Sequence, residues 1–151
     1  MSKGVGYIAR APSNLSYATP QTIEATFTGV PYTGVVSVPV YKIPANTYNL
    51  VGNPYPSPLS ADNFIKANTA NTGTLNKNIT GTLYFWTHKT AISTSNSGSQ
   101  LYNYASDDYS KYNLSGGVQS GSGGAVPTGN IAVGQGFFLE STVSGNVTFN
   151  N

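Results

Sequence analysis

"NLVGNPYPSPLSADNF", residues Asn49–Phe64, holds a strand end, a stiffened corner and the start of a helix in one short run. Tyr48–Val51 reads as a strand. Pro54, Pro56 and Pro58 each fix φ and remove an N–H, which ends the strand's ladder and bars its continuation. They also bias Asn53, Tyr55 and Ser57 toward extended geometry. The expectation is an extended crossing that delivers the chain to Ser60, with Tyr55 packed over a sheet rather than offered to a ligand. Ser60–Asn68 (SADNFIKAN) is the one helical stretch. Ser60 can accept a backbone N–H as its cap, and Asp62 in the first turn suits the helix dipole. Phe64, Ile65 and Ala67 would face inward. At barely two turns, packing rather than propensity must hold it.

Outward from this corner the readings are strand-sized. Gly6–Arg10 reads as a short first strand. Ile23–Thr28 alternates, with Ile23, Ala25 and Phe27 on one face and Glu24, Thr26 and Thr28 on the other, the period of a half-buried sheet. Val35–Val40 puts Val36, Val38 and Val40 on one face, so Ile23–Val40 is expected to form a hairpin around the turn GVPYTG. Gly81–Thr87 (GTLYFWT) is bulky on both faces and reads as a central strand covered on both sides. Ala91–Gln100 and Ser115–Gly129 read as long loops. Gly136–Glu140 and Asn146–Asn150 are expected to close the chain as a hairpin. A faint echo between GVGYIARA…ATFTG and GQGFFLES…VTFNN reads either as symmetry-related strand pairs or as one local solution met twice. Together these elements predict an all-β antiparallel sandwich, jelly-roll-like, with one short helix near residues 60–68.

Composition agrees. The 151 residues, 1–151, suit a single β-sandwich domain with a real core. Charged residues are 8% and aromatic residues 12%, and that aromatic content argues against disorder. Ser, Thr and Asn make up 50 of the residues, which suits the strands and turns of an extracellular β-domain. The basic residues Lys3, Arg10, Lys42, Lys66, Lys77, Lys89 and Lys111 are scattered, so no nucleic-acid partner is expected. No cysteine is present, which excludes disulfides, zinc–thiolate sites and cysteine catalysis. No apolar run reaches the roughly 20 residues of a membrane span. The chain stops inside a strand-like run, GNVTFNN, and reads as a piece excised from a longer protein.

Catalytic patterns are weak. Gly4-x-Gly6-x-x-Ala9 lacks the preceding strand and following helix that a dinucleotide site requires. SGSGGAVPTG lacks the lysine of a phosphate-binding loop. His88 is the only histidine, and no Gly-x-Ser-x-Gly elbow precedes a helix, so it reads as a strand-end packing residue. Nothing in the sequence brings two of the acids Glu24, Asp62, Asp107, Asp108 and Glu140 together across a sugar. The expectation is therefore a protein that is not an enzyme and has no cofactor. Asp107 and Asp108 read either as solvated turn residues or as the one metal candidate, structural Ca²⁺, for which a loop carrying both could supply oxygens. The remaining candidates are aromatic: Trp86, Tyr102, Tyr104, Tyr109 and Tyr112 are either core and rim residues of a small sandwich or a platform that stacks on sugar rings.

Seven segments also carry a resemblance when taken in order. They are KGVGYIARAP, ATFTGVPYTGVVSVPV, NLVGNPYPSPLSADNFIKAN, GTLYFWTHKT, YASDDYSKYNLSGG, GNIAVGQGFFLE and VTFNN. The set resembles a β-rich region of large secreted Bacteroidota (flavobacterial) surface proteins, commonly placed just upstream of a type IX secretion C-terminal sorting domain. The resemblance spans almost the whole chain. It implies an extracellular or outer-surface location and an adhesin-like, multidomain parent. The multidomain parent makes other domains of the same polypeptide expected partners, and the aromatic residues add a glycan or other cell-surface ligand. No functional residue carries over from it.

Overall fold

The computed structural model describes residues 1–9, 12, 15, 21–69 and 78–151. In chain order its strands are β1 (Val36–Val40), β2 (Tyr48–Gly52), β3 (Leu59–Ser60), β4 (Ile79–Trp86), β5 (Tyr109–Asn113), β6 (Gly116–Val118), β7 (Asn130–Ile131), β8 (Gly136–Ser141) and β9 (Gly145–Phe149). The helix α1 (Ala61–Thr69) follows β3, and a single 3-10 turn at Ser106–Asp108 leads into β5. No described helix is long and apolar enough to cross a membrane.

Five strands make an antiparallel sheet in the order β2-β8-β4-β5-β6, while β1 pairs with β9 and β3 with β7. Alternation decides what faces inward. Val36, Val38 and Val40 of β1 and Val147 and Phe149 of β9 are buried, as are Val51, Leu83, Phe85, Phe137 and Leu139 of the large sheet. These side chains form one apolar cluster with Ala61, Phe64 and Ile65 of α1. Phe64 closes it: its ring centre lies 5.4 Å from that of Phe137 and 4.8 Å from that of Phe149. The fold is thus an antiparallel β-sandwich with one short helix, as expected. The Ser60 hydroxyl accepts the Asn63 N–H at 3.3 Å and caps α1.

β4 sits at the centre of the large sheet. Its outer face is not covered, and Trp86 is 39% exposed. Gly81 carries φ +91° where the pairing of β4 with β8 shifts between Ile79 and Leu83, so it forms a bulge at a conformation that glycine adopts without strain.

Several expectations are corrected. Gly136–Ser141 and Gly145–Phe149 do not pair with each other. They form a corner, one strand entering the large sheet and the other joining β1. Ile23–Thr28 forms no strand; residues 21–31 lie exposed, with Phe27 75% and Val30 94% accessible. Of Gly6–Arg10, Arg10 lies outside the described residues. The rest forms no strand, although Val5 bridges Val51 and the Gly6 N–H bonds Leu50 O at 3.1 Å. Ser115–Gly129 is not all loop, since β6 returns along β5.

The proline corner bends rather than crossing extended, because a side chain intervenes. Buried Asn53 sends its amide Nδ2 to Ser57 O, Ile131 O and Ala132 O at 2.9, 3.2 and 3.1 Å. Tyr55 is only 2% exposed and donates its hydroxyl to Gly34 O at 2.8 Å. It packs inward, as expected.

Candidate functional site

The outer face of the large sheet carries a belt of rings. Register decides membership: Tyr48 stands opposite Glu140, Leu50 opposite Phe138, Phe138 opposite Tyr84, and Trp86 opposite Tyr109. Tyr84 and Trp86 are two residues apart on β4 and therefore share a face. Tyr48 meets Tyr84 edge-on at 5.5 Å, and Tyr109 meets Phe138 edge-on at 5.9 Å. The Lys111 ammonium lies 5.9 Å from the Tyr84 ring centre. Burial first, then a hydrogen bond with Tyr48 and the nearby Tyr48 and Glu140, push Tyr84 up to about 12. Burial also raises Tyr109.

At one end the belt runs onto the loops. Trp86 packs edge-on against Tyr104 at 4.9 Å and lies tilted against His88 at 5.0 Å, while His88 and Tyr104 are 5.7 Å apart. Trp86, His88 and Tyr104 are all exposed. His88 is the only described non-glycine residue with positive φ, at +46°. A left-handed conformation costs a residue other than glycine about 1 kcal/mol, so the packing around His88 must hold the ring in place.

Beneath this end lies a polar knot centred on Asp108, which is fully buried. Its carboxylate accepts the Thr90 N–H at 2.9 Å and the Thr90 hydroxyl at 2.8 Å. Its carbonyl accepts the Thr87 N–H at 2.8 Å and the Thr87 hydroxyl at 2.9 Å. Thr90 Oγ1 also lies 2.9 Å from Ser122 Oγ. Burial pushes the Asp108 carboxyl upward, but the Ser122 hydroxyl, the Thr90 amide and hydroxyl and the charge of His88 outweigh it, and the net direction is down. The knot ties the end of β4 to the start of β5 and so fixes the ground under Trp86, His88 and Tyr104.

The five aromatic residues singled out in the sequence thus divide. Trp86, Tyr104 and Tyr109 share the outer surface. Tyr112 stands opposite Leu83 on the inner side and packs against the core, donating its hydroxyl to Asp62 at 2.8 Å. That bond, more than burial, raises the Tyr112 hydroxyl. Tyr102 is exposed on the loop before the 3-10 turn. Asp107 and Asp108 also part: Asp107 is exposed, while Asp108 turns inward to Thr90. Among the described residues, no group of three or more His, Asp or Glu side chains is placed to hold a metal ion.

A profile of the family described as Domain of unknown function (DUF8693) matches residues 1–151. The chain belongs to the DUF8693 family. No curated protein and no solved structure matched it. The family description assigns no activity, so the function of this DUF8693 chain has to be inferred from its own surfaces. Sequence reasoning missed Tyr48, Tyr84 and Phe138 as members of its aromatic face. For Tyr84 the signal lies in the sequence, because Trp86 stands two residues along the same strand and shares its face. Tyr48 and Phe138 depend on strand partners that no local pattern names.

Proposed function

We propose that this domain is a non-catalytic structural or adhesive module of a secreted cell-surface protein exported by type IX secretion, and that the aromatic face is its contact surface. The observation that carries the reading is the belt of half-open rings that runs from Tyr48 on the edge strand β2, over Tyr84 and Trp86 on the central strand β4, to Tyr104 on the loop before β5. Exposed aromatic clusters on a soluble domain mark interaction sites more often than they mark folding needs. Support for the secreted setting comes from the neutral, Ser/Thr/Asn-rich composition and from the sequence resemblance.

The ligand class favoured by the same face is carbohydrate. Ring faces bury the apolar C–H surface of a sugar, and the surrounding tyrosine hydroxyls can bond its hydroxyls. The charged groups placed among the rings are Lys111 and Glu140, which suits a neutral glycan. The test is binding of the 151-residue chain to a glycan array and to insoluble polysaccharides, compared with a Trp86→Ala/Tyr104→Ala variant. Aromatic contacts of this kind carry about 1 kcal/mol each beyond burial, so the double variant is expected to lose roughly tenfold or more in affinity. An array without a binder would remove the carbohydrate reading. Equal binding by the variant would remove the aromatic face as its seat.

A further inference from the structure

Two parts of this chain fit each other and do not meet. The first is Ile23–Thr28, which has the alternation of a strand yet bonds to no described residue and lies exposed. The second is the outer edge of β1. Ser37 stands opposite Thr148. Thr148 spends its N–H and its C=O on the side chain of Asn68, at 2.7 and 2.9 Å. Both therefore point away from β1, so the Ser37–Thr148 pair is one of the non-hydrogen-bonded pairs of the ladder. The N–H and C=O of Ser37 face outward on the opposite side, and so does the C=O of Pro39, whose partner Asn146 gives its carbonyl to Asn78 Nδ2. An open edge of this kind is a template for a further strand. β9, the other strand of the pair, has its edge covered by Asn68 and Asn78, whereas no described residue pairs with the outer edge of β1.

Register follows from which faces must agree. Ile23, Ala25 and Phe27 have to share the inner side with Val36 and Val38. Registers two residues apart all meet this condition; we take the one that sets Ala25 opposite Val36, Ile23 opposite Val38 and Glu24 opposite Ser37. Within one chain, this register closes a hairpin with Thr28 opposite Thr33 and residues 29–32 as the loop. The structure holds that loop elsewhere. Tyr32 packs against the core with the Lys3 ammonium 3.6 Å from its ring centre. Gly34 accepts from Tyr55 and donates to Asn151, and Asn151 Nδ2 donates to Thr33 Oγ1 at 2.9 Å. Closure in the same chain would lift Tyr32 from its seat. Pairing with another molecule leaves every one of these contacts in place.

We infer that Ile23–Thr28 is a donor strand for the β1 edge of a second copy of this chain, giving a reciprocal, strand-exchanged dimer. Such exchange is a low-cost route to two-fold assemblies when the connecting segment is held open. The interface is main-chain pairing at the edge plus burial of Ile23, Ala25 and Phe27 beside Val36 and Val38.

The chain has no cysteine of its own, so a cross-link can be read cleanly. Opposed residues in a hydrogen-bonded antiparallel pair lie about 5.5 Å apart at Cα, within disulfide reach. A mixture of E24C and S37C chains should give a disulfide-linked heterodimer on mild oxidation, and Thr26→Pro in both chains should abolish it. Because the donor segment pairs with no described residue of its own chain, Thr26→Pro should leave the monomer's melting temperature unchanged. Light scattering should show wild-type dimer growing with concentration. The inference is overturned if the E24C/S37C double variant closes only within single chains, or if neither the mixture of E24C and S37C chains nor a mixture of T26C and S37C chains, which reads the register two residues along, cross-links. The cross-link needs no glycan, so its failure and the failure of the carbohydrate reading are separate results.

Discussion

Single polar side chains decide much of this molecule, and Asn53 shows how. Its amide supplies donors to three carbonyls on two segments, Ser57 and the pair Ile131 and Ala132. Replacement by alanine strands those acceptors, and a buried unsatisfied group costs about 1–3 kcal/mol. Asn53→Ala is therefore expected to lower the free energy of unfolding by roughly 2 kcal/mol or more, measured by urea denaturation. Tyr55→Phe removes one bond, to Gly34 O, and should cost about 1 kcal/mol in the same experiment. Asp108 adds a pH dependence of known sign. Its carboxyl is depressed by the Ser122 and Thr90 bonds and by His88, against the push of burial. The stabilisation from the ionised form is thus complete above the ordinary aspartate value of about 4 and is lost as pH falls through the lower folded value. Unfolding midpoints followed from pH 6 downward should drop in that acid window. Asp108→Asn should be less stable at pH 6, with a flatter acid limb.

At the level of elements, local signals were legible and partnerships were not. The Ser60 cap, the buried face of Val36, Val38 and Val40, and the central place of β4 all follow from patterns a few residues long. Ser60→Ala is expected to destabilise the fold by about 1 kcal/mol, seen as a lower melting temperature with α1 and its neighbours exchanging amide protons faster. Pairing partners are different, because the period of two names a face and never a neighbour. β8 and β9 are joined by a short turn, yet each pairs elsewhere. Ile23–Thr28 has the cleanest alternation in the chain and no strand around it. Among the candidate site residues, Tyr109 and Tyr112 are three apart on β5, so one had to face outward and the other inward once that stretch was placed as a strand. Tyr102 and Tyr104 precede β5, where no strand period applies.

For the whole molecule, one core carries the fold. Phe137 is 1% exposed and touches Phe64, Phe85 and Phe149. Phe137→Ala should cost about 3–5 kcal/mol, a large part of the 5–15 kcal/mol available to a domain. Loss of near-ultraviolet circular dichroism at a much lower denaturant concentration would show it. β1 and β9 come from opposite ends of the described fold, and Val36 stands directly opposite Phe149. This placement sets how the domain would respond to force. Tension applied through the backbone before Val36 and after Phe149 would act on adjacent ends of one antiparallel ladder. The load would part the Asn151 bonds to Thr33 and Gly34 and then the rungs one after another from Val36–Phe149, instead of shearing them all together. Pulled in that direction, the domain would yield at low force and lengthen, because each rung bears the load alone.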